Sequence, residues 1–206
     1  MIFGASGATG HELVKQALNK QYNVTAFVRN PLKLQVQHPN LEIVQGDLDD
    51  YPKVASTIKG HYAVLSALGA SSPLKYDPSL ASGMSNIIKA MEAVDVTRLV
   101  YLSFVGVRGS RNRAGIMINH IAPFILVNEI KGHEVREKMI KDSKLCWTIV
   151  RPPVLTRGTG KGKWRAGTNL VYRGFAPAMS RTDVASFMLE QLNKEEYLYA
   201  APFILY

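Results

Sequence analysis

The chain contains one cysteine, Cys146, so it can form neither an internal disulfide nor a multi-cysteine metal site. That scarcity fits a reducing, cytoplasmic setting. No apolar run is long enough to span a bilayer: the nearest, residues 116–127, is broken by Asn119, His120 and Pro123. A basic stretch leading into an apolar core is also missing at the N-terminus, so no signal peptide is read and no membrane partner is expected. The net charge of +9 raises the question of nucleic acid. The cations are scattered over helices and loops, however, without the interleaved aromatics that stack bases, and nucleic acid is not expected as a partner. A basic surface that draws in an anionic cofactor or substrate is the simpler meaning. Repeats, low-complexity runs and linkers are absent as well. A 206-residue chain with 47% hydrophobic composition then reads as one domain, residues 1–206.

What is present begins at once. Met1-Ile2-Phe3 is apolar, Gly4-Ala5-Ser6-Gly7-Ala8-Thr9-Gly10 has glycine at every third position, and Glu12 to Leu18 alternates apolar and polar residues at helical spacing. The order is strand, glycine turn, helix. Gly4 takes the turn, Gly7 keeps side-chain bulk away from a phosphate, and Gly10 lets the helix lie close on the sheet. The backbone N–H groups around Ser6, Ala8 and Thr9 then face the bound group, and the helix dipole favours its negative charge. A dinucleotide pyrophosphate is expected there. Buried parallel strands usually run about five or six residues, so an earlier natural start than Met1 is also expected.

A second strand, Val24 to Val28, follows at βαβ distance and ends in Arg29-Asn30-Pro31. An acidic residue here would bind both ribose hydroxyls; this chain offers Arg29 instead, with Lys33 close behind, which favours NADP(H) over NAD(H). Leu41 to Gln45 reads as a third strand, with a helix over Pro52 to Lys59. Asp47 and Leu48 after the strand either bracket an adenine or, for Asp47, start the helix. Tyr62 to Leu68 reads as a fourth strand, and Gly69 after Leu68 leaves a flat edge along the cofactor. After a turn at Ser71-Ser72-Pro73, a helix over Ser79 to Val94 leads into a fifth strand, Thr97 to Phe104. Ser103 at its end is a candidate catalytic hydroxyl beside the nicotinamide, or a residue occupied in a backbone hydrogen bond.

Residues 104–127 and 154–180 are read as the substrate side: in the first a loop and apolar helix that cover the site or an interface, in the second a basic glycine loop that is a substrate loop or a solvated hairpin. A helix over Asn128 to Asp142 carries Glu129 and His133 on one face. Trp147 to Pro153 is a sixth strand, its closing Pro153 walling the nicotinamide. Thr182-Asp183 starts a last helix, and Tyr197 to Ala200 is expected as a final strand.

Taken together, the glycine loop, Val28-Arg29, Gly46-Asp47-Leu48, Leu68-Gly69, the Ser103 strand end, Ser143 to Pro153 and Ser180 to Ala185 resemble the atypical short-chain dehydrogenase/reductases. Within these the chain is most similar to the small NmrA-like proteins and the biliverdin-IXβ reductase/flavin reductase type. The resemblance implies a doubly wound α/β Rossmann fold, helices on both faces of a parallel sheet, binding NADPH. It implies hydride transfer to a small planar acceptor such as a flavin or quinone, or else a catalytically idle NADP(H)-binding regulator, as monomer or dimer. Ordinary members carry a tyrosine, with a lysine four residues later, on the helix after the Ser103 strand. Here the matching positions hold Glu129 and His133, so alcohol or ketone chemistry by the tyrosine–lysine route is not expected. Solvent can serve a flavin instead. His133, read as a surface residue by default, is retained as a second catalytic candidate.

Overall fold

Ile2–Phe3 (β1) is two residues long, yet both are buried and pair on either side, with Val24–Val28 (β2) and Ala63–Ser66 (β4). The computed structural model describes residues 1–70 and 77–206. Leu41–Gln45 (β3), Arg98–Leu102 (β5) and Cys146–Val150 (β6) complete a six-stranded parallel sheet ordered β3-β2-β1-β4-β5-β6. The order reverses between β1 and β4, and in open parallel sheets the carboxyl ends of strands at such a switch point frame the ligand crevice.

Side-chain alternation along the strands divides the core into two layers. Ile2, Ala26, Val28, Leu65, Val100, Leu102 and Val150 face Ala8–Asn19 (α1) and Arg181–Glu190 (α6). Phe3, Phe27, Val64, Leu99, Tyr101, Trp147 and Ile149 face Tyr51–Ile58 (α2), Ser79–Ala93 (α3) and Val127–Asp142 (α5). Both faces are therefore covered, which is why these strands read as continuous apolar runs. Among the described residues, the fold is the doubly wound α/β Rossmann type that the sequence predicts.

The remaining elements sit over the strand ends. Met117–Ile121, a π-helical turn, runs into Ala122–Ile125 (α4), and two small sheets pair Val154–Thr156 (β7) with Ala178–Ser180 (β9) and Arg165–Gly167 (β8) with Phe203–Leu205 (β10). The final strand is thus Phe203–Leu205 and not Tyr197 to Ala200. Tyr199 has φ 56°, a left-handed conformation that no strand accommodates, and Ala200 makes only an isolated bridge to Thr148. Two helix starts also differ from expectation. Asp50, not Asp47, caps α2 by accepting from the Lys53 N–H, and Ser180 caps α6 by accepting from the Asp183 N–H. The Asp183 carboxylate is thereby left to accept the N–H groups of Lys161 and Gly162 and the Tyr206 hydroxyl, which pins the basic glycine loop. The turn expected at Ser71-Ser72-Pro73 lies outside the described residues.

Candidate functional site

The glycine loop is shaped by two collisions that only glycine avoids. Gly4 has φ 74°, and a Cβ there would lie 2.5 Å from the Ala67 carbonyl oxygen; a Cβ on Gly10 would run into the Gly4 carbonyl. α1 therefore starts close against β1, with its N-terminal turn drawn from Ala8, Thr9 and Gly10, inside the stretch read as loop. Gly7 occupies the N-cap with extended backbone and no side-chain cap. The first N–H groups of a helix have no intrahelical partner, so this end presents donors and the positive end of a dipole.

Those donors open on a cavity of about 630 Å³ along the carboxyl edge of the sheet. Its lining includes Gly4, Ser6, Gly7, Ala8, Thr9, Arg29, Lys33, Asp47, Leu48, Leu68, Gly69, Ser103, His133 and Pro153. Of the residues the sequence selects, only Gly10 lies outside it, acting through packing. At one end Asn30 accepts the Leu32 N–H and folds Pro31–Lys33 into a tight turn, and Lys33 and Arg29 both line the cavity there. Both side chains are exposed, two cations ready for a dianion. Asp47, close by, accepts the Asp49 N–H within its own turn.

The other end is built from β5, α5 and β6, and here a buried polar network departs from expectation. Ser103 is buried and donates to Glu137 Oε1 at 2.6 Å, a side chain outside the cavity lining. Its proton is directed neither to the backbone nor to the cavity. Arg151 makes two hydrogen bonds to the same carboxylate, and Lys141 Nζ adds one at 2.8 Å. Burial pushes the Glu137 carboxyl up, but Arg151, Lys141 and Ser103 together hold it below its ordinary value.

His133 is buried, not a surface residue, because α5 turns that side of its first half onto β5. Arg136 Nε donates to the Tyr101 hydroxyl at 2.7 Å, and that hydroxyl lies 2.8 Å from His133 Nδ1. Burial raises the Tyr101 hydroxyl to about 12, so it keeps its proton and has Nδ1 to give it to. The remaining imidazole proton then sits on Nε2, 3.1 Å from Glu129 Oε1. Burial first, then the Arg136 charge, lowers the His133 pKa, against Glu129, which raises it. A neutral His133 at physiological pH follows. Glu129 stays ionised: its burial is outweighed by His133 and Arg136. The row runs Arg136 to Tyr101 to His133 to Glu129, with the Tyr101 and His133 protons engaged and Arg136 Nη2 buried without a partner among the described residues.

The sequence reading missed Tyr101, Arg136, Glu137 and Arg151. A signal existed: His133, Arg136, Glu137 and Ile140 recur at helical spacing on the buried side of α5, where an apolar stripe is the norm. The Glu137 cluster makes a test of stability against pH. Its pKa is depressed on folding, so its contribution is present above the ordinary value of 4.5 and is lost as pH falls through the lower folded value. Glu137→Gln should cost on the order of 3 kcal/mol at neutral pH by stranding Arg151. Urea titrations down to about pH 3 should show wild type and variant converging. A gap constant with pH would reduce the cluster to packing.

Among the described residues no group of His, Cys, Asp or Glu is arranged to hold a metal ion, and no helix is long and apolar enough to cross a membrane. The chain is similar to a Bacillus subtilis protein described as an uncharacterised sugar epimerase, YhfK: 26% identity over 197 residues, 94% of this chain and 87% of that one. Its fold matches a short-chain dehydrogenase/reductase of Veillonella parvula solved with NADP (TM-score 0.82, 16% identity, 100% and 93% of the two chains). It also matches ChuY of Escherichia coli O157:H7, described as an anaerobilin reductase (TM-score 0.78, 20% identity, 99% and 95% of the chains). The family model for NAD(P)H-binding proteins matches residues 4–195, the glycine loop and strands β2 to β6 included, and the chain belongs to that NAD(P)H-binding family.

Proposed function

We propose that the protein is an NADPH-dependent reductase of a flavin, quinone or similar planar acceptor. The observation that carries this reading is one cavity with two unlike ends: bare helix donors and two exposed cations at one, and at the other a wall whose Ser103 and His133 protons are committed. The α1 N-terminus and Gly7 suit the pyrophosphate, Arg29 and Lys33 the 2′-phosphate, and Asp47 with Leu48 the adenine. Bound there, NADPH supplies a hydride. Gly69, Ser103, His133 and Pro153 wall the acceptor's side, where Ser103 and His133 orient and exclude water without donating a proton. A flat acceptor reduced in this way takes its proton from solvent. The likeness to a reductase and to an NADP-bound neighbour supports the same assignment.

The test is NADPH oxidation in the presence of FMN or a quinone. Turnover should fall by less than about tenfold in His133→Ala and in Glu129→Gln. A thousandfold loss in His133→Ala would contradict solvent protonation. Tight NADPH binding without turnover on any planar acceptor would favour a cofactor-sensing regulator. NADPH should also bind at least about tenfold more tightly than NADH, and Arg29→Ala should erase most of the difference. Paired fluorescence titrations measure it, and equal affinities in the unaltered protein would remove Arg29 from the phosphate site.

A further inference from the structure

The charge of this chain is unevenly placed. Residues 104–127 and 154–180 together carry eight of the chain's 25 Lys and Arg and no Asp or Glu, so these segments are basic without an acid of their own. The same side bears an apolar surface. Ile116, Ile121, Ile125 and Val127 are each more than a third exposed, and Phe124 is 84% exposed. Val171 and Phe175 join them, because the Ile116 and Met117 N–H groups bond to the carbonyls of Gly174 and Phe175. Arg111 lies just ahead of the patch in the chain, and Arg173 stands next to Gly174. Neither guanidinium has a partner among the described residues. Such a surface exceeds the isolated apolar residues of an ordinary exterior.

We infer that this face docks on anionic lipid bilayers. Apolar side chains protruding beside cations match an interface in which Phe and Ile enter the acyl boundary while guanidinium groups meet lipid phosphates. The charge pattern argues against the other occupants. A second copy would set this acid-free segment pair and its Arg111 and Arg173 against their own kind, and apart from Phe124 and Phe175 the patch is aliphatic Ile and Val, which form no continuous platform for stacked bases. The absence of a membrane-spanning helix bears on spans and leaves this contact open. Leu126, between Ile125 and Val127, lines the cavity, so the docked face adjoins the site. If the reductase reading holds, a lipid-dissolved acceptor such as a long-chain quinone would have a short path to it.

Vesicle sedimentation tests the docking without turnover, so its result is separable from the enzymatic one. The protein should pellet with phosphatidylcholine vesicles containing about 30 mol% phosphatidylglycerol, and not with phosphatidylcholine alone. Phe124→Ser/Ile125→Ser keeps every cation and should weaken binding at least about tenfold; Arg111→Gln/Arg173→Gln should do so while keeping the apolar patch. Circular dichroism checks that both remain folded. NADPH oxidation with a water-soluble acceptor should be unchanged in both. Failure to pellet with the anionic vesicles would overturn the inference. So would undiminished binding of the serine variant, since that is the bare attraction of any basic protein.

Discussion

Gly7→Val is expected to fold normally and to lose at least about a hundredfold in NADPH affinity, because the residue sits where a helix terminus must be approached by phosphate. The structure separates the two halves of that statement. Gly7 has φ −77° and ψ 163°, extended backbone that valine adopts readily, and an added Cβ would meet only the Gly4 carbonyl oxygen at 3.2 Å. A shift of a few tenths of an ångström accommodates it. The branched methyl groups nevertheless lie at the mouth of the α1 N-terminus, next to the donors of Ala8 and Thr9. Circular dichroism should match wild type while the fluorescence titration fails to saturate. Gly10→Val is the contrasting control, since its Cβ would strike backbone and the variant should lose the fold along with the site. Undiminished binding in a folded Gly7→Val protein would make the loop a turn and nothing more.

Gly69→Leu should leave cofactor affinity within several-fold of wild type and lower turnover by about a hundredfold or more, since alignment of acceptor and cofactor supplies most of the rate when no acid assists. Among the described residues, chain neighbours aside, no atom lies within 4 Å of a Cβ placed on Gly69, so the added side chain starts in open space beside the cavity. Gly69→Ala, which lacks leucine's isopropyl group, should fall between. Steady-state NADPH oxidation with FMN or a quinone, beside the cofactor titration, distinguishes lost alignment from lost binding. A Gly69→Leu protein within tenfold of wild type would place the acceptor away from this edge.

The frame and the phosphate end were readable because both rest on local rules. Strand alternation, the glycine spacing and the Arg29-Asn30-Pro31 strand exit each constrain backbone within a few residues, and one cavity is lined by Gly4, Ser6, Gly7, Ala8, Thr9, Arg29, Lys33, Asp47 and Leu48 together. The acceptor end was not readable, since its character comes from pairings distant in the chain. Glu137 is interpretable only once Ser103 and Arg151 are known to reach it, and His133 only once Tyr101 is known to face it. A helix rich in charge reads as solvated by default, and α5 violates that default through a compensated buried network. The misplaced last strand has a similar origin: Tyr197 to Ala200 has strand composition, but the left-handed Tyr199 is imposed by the return of the chain over β6, where its N–H bonds to the Trp147 carbonyl.

The segments over the strand ends rest on a small core of their own, in which Val105, Ala114, Ile118 and Ala122 pack with Phe203 and Leu205 of β10, while Ile204 between them joins the layer under α1 and α6. Cooperative opening free energy follows the apolar contacts an element must give up, so this unit can detach at a smaller cost than any strand of the sheet. Amide protons of residues 105–122 should therefore exchange with solvent well before those of β4 and β5. On this expectation the protein is two-tiered in stability as well as in shape: a durable sheet frame carrying a cap that opens first.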